Sequence, residues 1–216
     1  LMEADPDDLE FEGGAFNVKG TPSKSTPIQQ IAFGAFTAHN LPDGMEPNLQ
    51  EQCTFDPPNF AFPFGTHVAV VEVDTDTGGV RLRSYIAVDD CGTQVNPMIV
   101  EGQVHGGIVQ GVAQALWEEA HYDDDGILRN PSLMDYLVPS AAEVPSFVVD
   151  STVTPSTSNP LGVKGVGEAG TIGSAAAVIN AICDALSPYG VTDIEMPASP
   201  QRVWRTIRDA GKGAGQ

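Results

Sequence analysis

The stretch that decides the fold runs from Thr66 to Asp90 and reads THVAVVEVDTDTGGVRLRSYIAVDD. Apolar and polar residues alternate on both sides of Thr77-Gly78-Gly79, which is the pattern of two half-buried strands joined by a tight turn. The alternation stops at Asp89-Asp90-Cys91-Gly92. We therefore predict an antiparallel hairpin that ends at the two aspartates.

Helical and extended segments surround this hairpin without alternating strictly. The predicted elements are an N-terminal strand pair turning on Gly13-Gly14, a helix opened by Ser25-Thr26-Pro27, a long helix from Asn96-Pro97 to near His121, strands at 126–129, 146–154 and 191–195, and helices at 171–186 and 200–210. Because strands and helices do not alternate regularly, an α+β fold with mixed sheets and packed helices is favoured over a doubly wound sheet.

The chain is strongly acidic, with 29 acidic residues against 10 basic ones and a formal net charge of −19. Such a charge repels nucleic acids and anionic lipid surfaces. The acidity fits either a high-salt cytoplasm or an ordinary acidic soluble protein. No run approaches the roughly 20 apolar residues of a membrane span. We therefore expect a cytoplasmic protein without a membrane span. Because the segment after Met2 is unlike an ordinary N-terminus, we also expect a natural split or a truncated polypeptide.

The cysteines, Cys53, Cys91 and Cys183, lie far apart and form no C-x-x-C motif. Neither a zinc ribbon nor an iron–sulfur cluster can be built from this spacing alone. We expect reduced thiols that serve as small core residues. No metal ligand is predicted among the protein side chains.

A glycine-rich segment near the C-terminal end, GVKGVGEAG, contains a G-x-G-x-x-G pattern at Gly165, Gly167 and Gly170. A dinucleotide site needs a strand that runs directly into the first glycine. Pro155 and Pro160 precede it and disfavour a central strand. The pattern is therefore not interpreted as a nucleotide-binding loop.

The carboxylate inside this segment, Glu168, offers a different chemistry. A bulky ligand can approach glycine backbone closely, and the start of the following helix suits an anion. Lys164 adds a positive charge nearby. A carboxylate desolvated by apolar neighbours can exchange protons near neutrality, which is the environment of a general base. The apolar neighbours expected to do this are Val163, Val166, Ala169 and Ile172. The alternative is a surface loop whose glutamate merely favours the helix dipole.

The long helix carries glycines at Gly102, Gly106, Gly107 and Gly111. Each glycine inside a helix costs roughly 1 kcal/mol relative to alanine, so a close approach is expected here. Another helix or a large cofactor would explain it equally well.

The same helix carries an amide stripe at Gln103, Gln110 and Gln114, together with His105. An amide can both donate to and accept from a heteroaromatic or oxo ligand. For Gln110 and Gln114 a partly solvated packing edge is the favoured interpretation. His105 has no partner at ligand spacing, so we expect a core or interface histidine.

Four segments together resemble a known family. They are TFDPPNFAFPFG (54–65), VDDCGTQVNPMIVEGQVHGGIVQG (88–111), SLMDYLVPSA (132–141) and TPSTSNPLGVKGVGEAGTIG (154–173). In this order they are similar to the C-terminal part of the large subunit of molybdenum hydroxylases. The closest resemblance is to the carbon monoxide dehydrogenase type, which is related to xanthine and aldehyde oxidases.

The resemblance implies a molybdopterin cofactor with molybdenum, in the cytosine dinucleotide form common in bacteria and archaea. The family's signature glutamate, which lies beside the molybdenum and acts as a base, falls on Glu168. Gln103 matches the family's cofactor-approaching glutamine. Cofactor-binding residues are also expected at Lys164, Gly165, Val166 and Gly167. Water would supply the oxygen for oxidation of carbon monoxide, an aldehyde or an N-heterocycle.

The resemblance also implies partners. These are the N-terminal remainder of the large subunit, an iron–sulfur subunit with two [2Fe–2S] clusters and an FAD subunit, assembled as a dimer of heterotrimers. Residues 1–216 would form the C-terminal part of the cofactor-binding region, with a sub-boundary near residue 65 or 155, and would be inactive alone. The copper-holding cysteine of carbon monoxide dehydrogenases is not Cys91, so substrate and copper stay open. A non-catalytic structural module is the alternative.

Overall fold

A computed structural model describes residues 2–39 and 41–213, and the chain divides into two compact units, Leu1–Asp56 and Pro57–Gln216. The elements of the first unit are a 3-10 helix at Pro6–Asp8, strands β1 (Leu9–Glu12), β2 (Ala15–Val18) and β3 (Thr21–Pro27), and helix α1 (Ile28–Thr37).

The predicted N-terminal strand pair is confirmed, because β1 and β2 pair antiparallel around Gly13-Gly14. Both glycines have positive φ, 60° and 81°, a conformation that glycine adopts without a steric penalty. The predicted cap of α1 is wrong. Ser25 and Thr26 lie in β3, which pairs with β2, and Pro27 occupies the N-cap position without a side-chain hydrogen bond.

The second unit is built on the predicted hairpin. Its elements are strands β4 (Phe64–Val73), β5 (Val80–Asp90) and β6 (Phe147–Thr152), helices α2 (Pro97–Leu116), α3 (Ala169–Leu186) and α4 (Pro200–Gly213), and a 3-10 helix at Ser187–Tyr189. β4 and β5 pair antiparallel, and β6 pairs parallel to β5. The α+β prediction is therefore confirmed.

Two predicted strands are absent from the described residues. At 126–129 there is only an isolated bridge between Tyr122 and Leu128. At 191–195 the buried side chains are Val191 and Ile194, and a spacing of three does not match the period of two of a strand. The long helix also ends earlier than predicted, at Leu116.

One face of the β4–β5–β6 sheet is covered by α2 and α3. The buried apolar side chains of this core include Leu82, Ala87, Ile108, Val112, Val178, Ile182 and Leu186. On the opposite face Val68 and Val70 of β4 are 47% and 49% exposed. The sheet is therefore buried on one face and open on the other.

The helix glycines separate into two groups. A Cβ on Gly107 would lie 3.0 Å from the Gly170 Cα, and one on Gly111 would lie 1.9 Å from the Ser174 Oγ. These two glycines let α2 and α3 approach closely. Apart from the neighbouring backbone of α2 itself, Gly102 and Gly106 have no described atom within 4 Å of an added Cβ. A neighbouring helix therefore explains half of the pattern.

The segment Ala169–Tyr189, which contains α3, is long and apolar enough by length and composition to cross a membrane. The statement from sequence that no run approaches this length is therefore wrong. Within this structure Val178, Ile182 and Leu186 are fully buried, so the helix serves as part of a packed core.

The expectation that all the cysteines lie in the core is wrong for Cys53, which is exposed. Cys91 is buried and Cys183 is half-buried. Burial raises the pKa of the Cys91 thiol and that of the Cys183 thiol, so both stay protonated and unreactive.

Candidate functional site

The glycine-rich segment forms the loop that leads into α3. Glu168 occupies the N-cap position and makes no side-chain cap, and the Ile172 N–H donates to the Glu168 carbonyl at 3.0 Å. The Glu168 side chain is exposed, and Ile172 is 69% exposed. The prediction that its apolar neighbours shield Glu168 from water is therefore wrong within this chain. Only Ala169, among those neighbours, is buried.

The structure brings Gln103 and the glycine loop together. A Cβ added to Gly167 would lie 3.7 Å from the Gln103 Oε1, and one added to Gly165 would have no described atom within 4 Å. Gln103, Gly165 and Gly167 are all exposed. This open surface, with an amide beside bare backbone at a helix start, fits the approach of a large anionic ligand.

Lys164 is committed to a different partner. Its Nζ lies 3.0 Å from the Asp90 Oδ1, with side chains 9% and 0% exposed. The ammonium also lies over the Phe64 ring, 4.5 Å from its centroid. The Lys164 N–H donates to the Cys91 carbonyl at 2.8 Å. Lys164 therefore fastens the loop to the end of β5.

Asp90 anchors this attachment. Its Oδ1 also accepts from the Gly92 N–H at 2.9 Å, and its Oδ2 accepts from the Thr152 hydroxyl at 3.0 Å. Burial alone would raise the pKa of Asp90, but hydrogen bonds from Gly92, Lys164 and Thr154 outweigh burial, and the pKa lies well below its ordinary value. The carboxylate is therefore charged at neutral pH.

A second polar cluster lies on the core face of the hairpin, and sequence reasoning missed it. His67 Nδ1 lies 2.7 Å from the Tyr85 hydroxyl, and His67 Nε2 lies 3.2 Å from the Asp89 Oδ1. The β4–β5 register pairs His67 with Ala87, which places Tyr85 and Asp89 diagonally on either side of the imidazole. The signal was available: residues at a spacing of two share one face of a strand, and Tyr85, Ala87 and Asp89 do so.

Two glycines enclose this cluster. An added Cβ on Gly65 would lie 2.0 Å from the Asp89 Oδ1, and one on Gly173 would lie 2.6 Å from the His67 Nδ1. Gly65 pairs directly with Asp89 across the hairpin. Any side chain at either position would therefore displace the carboxylate or the imidazole.

Two cavities adjoin Asp89. A cavity of about 260 Å³ lies between β4 and α3, and a cavity of about 160 Å³ lies beside α2 and β6. Ala169 lines the first and Val166 the second, so the cavities lie on either side of the glycine loop. Glu168 lines neither of them.

The remaining candidates on α2 are accounted for by packing and exposure. The His105 ring contacts the Phe147 ring edge-on at 5.7 Å between centroids, which agrees with a core or interface histidine. Gln110 and Gln114 are exposed. No group of three or more His, Cys, Asp or Glu side chains suited to a metal ion occurs within residues 2–39 and 41–213.

Comparisons with known proteins show which family the chain resembles. Residues 1–145 match the family model described as a molybdopterin cofactor-binding domain. The chain is 42% identical to the carbon monoxide dehydrogenase large chain of Hydrogenophaga pseudoflava, over 97% of this chain and 26% of that protein.

Two solved structures share the fold. One is the reconstituted CO dehydrogenase from Oligotropha carboxidovorans, with a TM-score of 0.88 and 38% identity, covering 98% of this chain and 26% of the other. The other is quinoline 2-oxidoreductase from Pseudomonas putida 86, with a TM-score of 0.86 and 39% identity, covering 96% and 27%. The chain thus spans about a quarter of the length of these relatives. From the family match, the chain belongs to the molybdopterin cofactor-binding domain family.

Proposed function

We propose that this chain supplies part of the cofactor-binding surface of a molybdenum hydroxylase, in which Glu168 acts as a general base. The observation that carries the proposal is the open surface at the start of α3, where exposed Glu168 adjoins Gly167 and the Gln103 amide. A family whose members bind a molybdopterin supports the same assignment.

The residues of this surface fit an anionic pterin cofactor. The glycine backbone of Gly165 and Gly167, on either side of Val166, permits close approach, and the N-terminal end of α3 carries the positive end of a helix dipole. The Gln103 amide can donate or accept at the edge of the ring system. Lys164 contributes by holding the loop in place, because its ammonium is bound to Asp90. When bound, the molybdenum cofactor supplies two-electron oxidation of substrate with oxygen from water.

Glu168 is assigned the proton-transfer role. A carboxylate accepts a proton most effectively when water is excluded around it. Because this chain spans about a quarter of the length of its relatives, we propose that the rest of the large subunit covers the loop and supplies that exclusion. The chain alone is then expected to be inactive.

The proposed assembly follows the family. Residues 1–216 would form the C-terminal part of the cofactor-binding region, beside an iron–sulfur subunit with two [2Fe–2S] clusters and an FAD subunit in a cytoplasmic dimer of heterotrimers. The cofactor is proposed in its cytosine dinucleotide form. Relatives are named for carbon monoxide, for quinoline and for aldehyde, so the proposed substrates are carbon monoxide, an aldehyde or an N-heterocycle. Copper would accompany carbon monoxide.

The test is Glu168→Gln in the assembled enzyme, with Glu195→Gln as the matched control, because Glu195 is also exposed but lies outside the loop. We expect turnover with the natural substrate to fall by roughly 10²–10⁴ in the first variant, with unchanged molybdenum content, and to stay normal in the second. Near-normal turnover of Glu168→Gln at full molybdenum content would contradict the base role.

The second candidate function is a non-catalytic structural module that keeps the family scaffold. The exposure of Glu168 in this chain is the observation that favours it. Metal analysis of the assembled protein decides between the two. Stoichiometric molybdenum supports the hydroxylase, and an absence of molybdenum when all subunits are present supports the structural module.

A further inference from the structure

Two buried attachments bracket the short loop that carries Glu168. At the start of the loop, Lys164 pairs with Asp90 through side chains that are 9% and 0% exposed. Just after the loop, Gly170 packs so closely on α2 that an added Cβ would lie 2.5 Å from the Val104 carbonyl oxygen. Between the two attachments the Glu168 side chain is exposed. The position of Glu168 is therefore set by the two ends of the loop.

The segment before Lys164 follows the end of β5 backbone to backbone. Gly92 forms an isolated antiparallel bridge with Val163, and the Thr93 N–H donates to the Gly162 carbonyl at 3.0 Å. A Cβ on Gly92 would lie 2.1 Å from the Gly162 carbonyl oxygen, so a side chain there would force the two segments apart. The ion pair completes an attachment that the backbone begins.

The ion pair is held from several directions. The Asp90 Oδ1 accepts from the Gly92 N–H at 2.9 Å, and the Asp90 Oδ2 accepts from the Thr152 hydroxyl at 3.0 Å. The Lys164 ammonium lies 3.0 Å from the Asp90 Oδ1 and 4.5 Å from the centroid of the Phe64 ring. These contacts leave the two charged groups a single arrangement, which fixes the backbone at Lys164.

Stability alone does not account for a pair of this kind. Taking two charges out of water costs several kcal/mol per ion, and neutral side chains of similar volume often give a protein that is equally stable or more stable. What a buried ion pair adds is direction, because its geometry is satisfied in only one arrangement.

We propose that Asp90 and Lys164 are positioning residues for Glu168, and this inference rests on the proposed function of Glu168 as a general base. The pair acts only through the loop: it fixes the start of the loop, packing on α2 fixes the end, and the carboxylate is presented at one place. Such precision matters for the rate because a misplacement of about 1 Å can slow a reaction about 10²-fold.

The test removes the ion pair without leaving a buried charge behind. In the neutral variant, Asp90→Asn/Lys164→Met, both side chains keep nearly their size and both charges are lost together, so stability should change little. The control variant, Glu72→Gln/Arg83→Met, removes one acid and one base from an exposed pair on the same hairpin, with the Arg83 and Glu72 side chains 52% and 60% exposed. Both variants are prepared as the assembled enzyme.

Turnover is the first measurement. Carbon monoxide, quinoline and benzaldehyde are assayed in turn, and kinetics are measured with the one that the parent enzyme oxidises. We expect kcat of the neutral variant to fall about 10- to 100-fold, with KM and molybdenum content unchanged. The control variant should match the parent in all of these quantities.

The Glu168→Gln background separates positioning from a general structural role. Residues that act through one group are not additive. The substitutions of the neutral variant should therefore cause no further loss of kcat once Glu168 is replaced by glutamine. An equal fall of kcat in both backgrounds would overturn the positioning role.

Crystal structures of the assembled protein give a measurement that does not depend on turnover. After superposition on α2 and α3, the Cα atoms of residues 165–168 should move by about 1 Å or more in the neutral variant and stay in place in the control variant. An unmoved loop, or a kcat equal to that of the parent in the neutral variant, would overturn the positioning role.

Failure of the proposed function has a different signature. In that case Glu168→Gln turns over normally, or the assembled parent protein holds no molybdenum. The crystal structure of the neutral variant then decides by itself: a displaced loop supports Asp90 and Lys164 as the residues that position it, and an unmoved loop overturns that assignment.

Discussion

Two glycine substitutions on one helix test how α2 and α3 are fastened together. Alanine is favoured over glycine in a helix interior by about 1 kcal/mol, so Gly106→Ala, which meets no described atom within 4 Å, should stabilise the chain by about that amount. Gly111→Ala gains the same helical preference. Its Cβ, however, would lie 1.9 Å from the Ser174 Oγ, 2.9 Å from the Thr171 carbonyl oxygen and 3.0 Å from the Ala175 nitrogen.

The magnitude for Gly111→Ala follows from these contacts. Ser174 is fully buried, and two of the three close atoms belong to backbone, so the helices must separate. Overpacking a filled core costs typically 1–3 kcal/mol, with about 1 kcal/mol regained from helix preference. We expect a net destabilisation of up to about 2 kcal/mol, and a difference between the two variants of about 1–3 kcal/mol.

Urea unfolding monitored by circular dichroism measures both variants against the parent chain. The slope with urea should stay unchanged, because the surface exposed on unfolding is nearly the same. Equal stability of Gly111→Ala and Gly106→Ala would refute the contact between α2 and α3 at this position. In the assembled enzyme Gly106→Ala has a second use: unchanged molybdenum content would indicate that this open glycine does not face the cofactor.

Other substitutions test the loop attachment and the Asp89 cluster. Lys164→Met should lower the free energy of unfolding, measured with urea, by about 3 kcal/mol because it leaves the buried charge of Asp90 unpaired. Arg83→Met breaks a pair with Glu72 whose side chains are 52% and 60% exposed, and it should lower the free energy of unfolding by less than about 1 kcal/mol. Equal losses would contradict the argument from burial. Because the folded-state pKa of Asp90 lies below the ordinary 3.8, its contribution is present above pH 3.8 and is lost as pH falls through the folded pKa. The stability difference between the parent chain and Asp90→Asn should therefore be constant from pH 6 to 4 and shrink only at lower pH; a difference that shrinks between pH 6 and 5 would point to another group. Gly65→Ala places a Cβ 2.0 Å from the Asp89 Oδ1 and should destabilise by about 1–3 kcal/mol while shifting the His67 NMR signals; an unchanged His67 spectrum would show that the carboxylate has room to move.

Local pattern determined much of the architecture. The alternation around Thr77-Gly78-Gly79 and the Asn96-Pro97 start are written in neighbouring residues, because strand period and helix capping depend on short-range geometry. The hairpin and the start of α2 accordingly lie where the sequence predicts them. The predictions of strands at 126–129 and 191–195 are wrong because a strand needs a partner strand, which local pattern does not reveal. The described chain has no paired strand at either place.

The candidate site, like the fold, could be predicted from the sequence only in part. The motif residues Gln103, Gly167 and Glu168 were recognisable from the sequence, and their neighbourhood was inferred through family resemblance. The sequence could not determine that Glu168 is exposed in this chain, since burial depends on what packs above the loop. It also could not show that Lys164 pairs with Asp90, because those residues are 74 positions apart.

What the sequence by itself determined is the hairpin, the principal helices and the identity of the glycine-rich loop, since each depends on residues close together in the chain. Only the tertiary structure decided which glycines lie between two closely packed helices and which face outward. Only it brought His67 within hydrogen-bonding distance of both Tyr85 and Asp89. The physical reason is that register and helix packing bring distant residues within hydrogen-bonding range, and the resulting balance of charge and burial is a property of the assembled contacts.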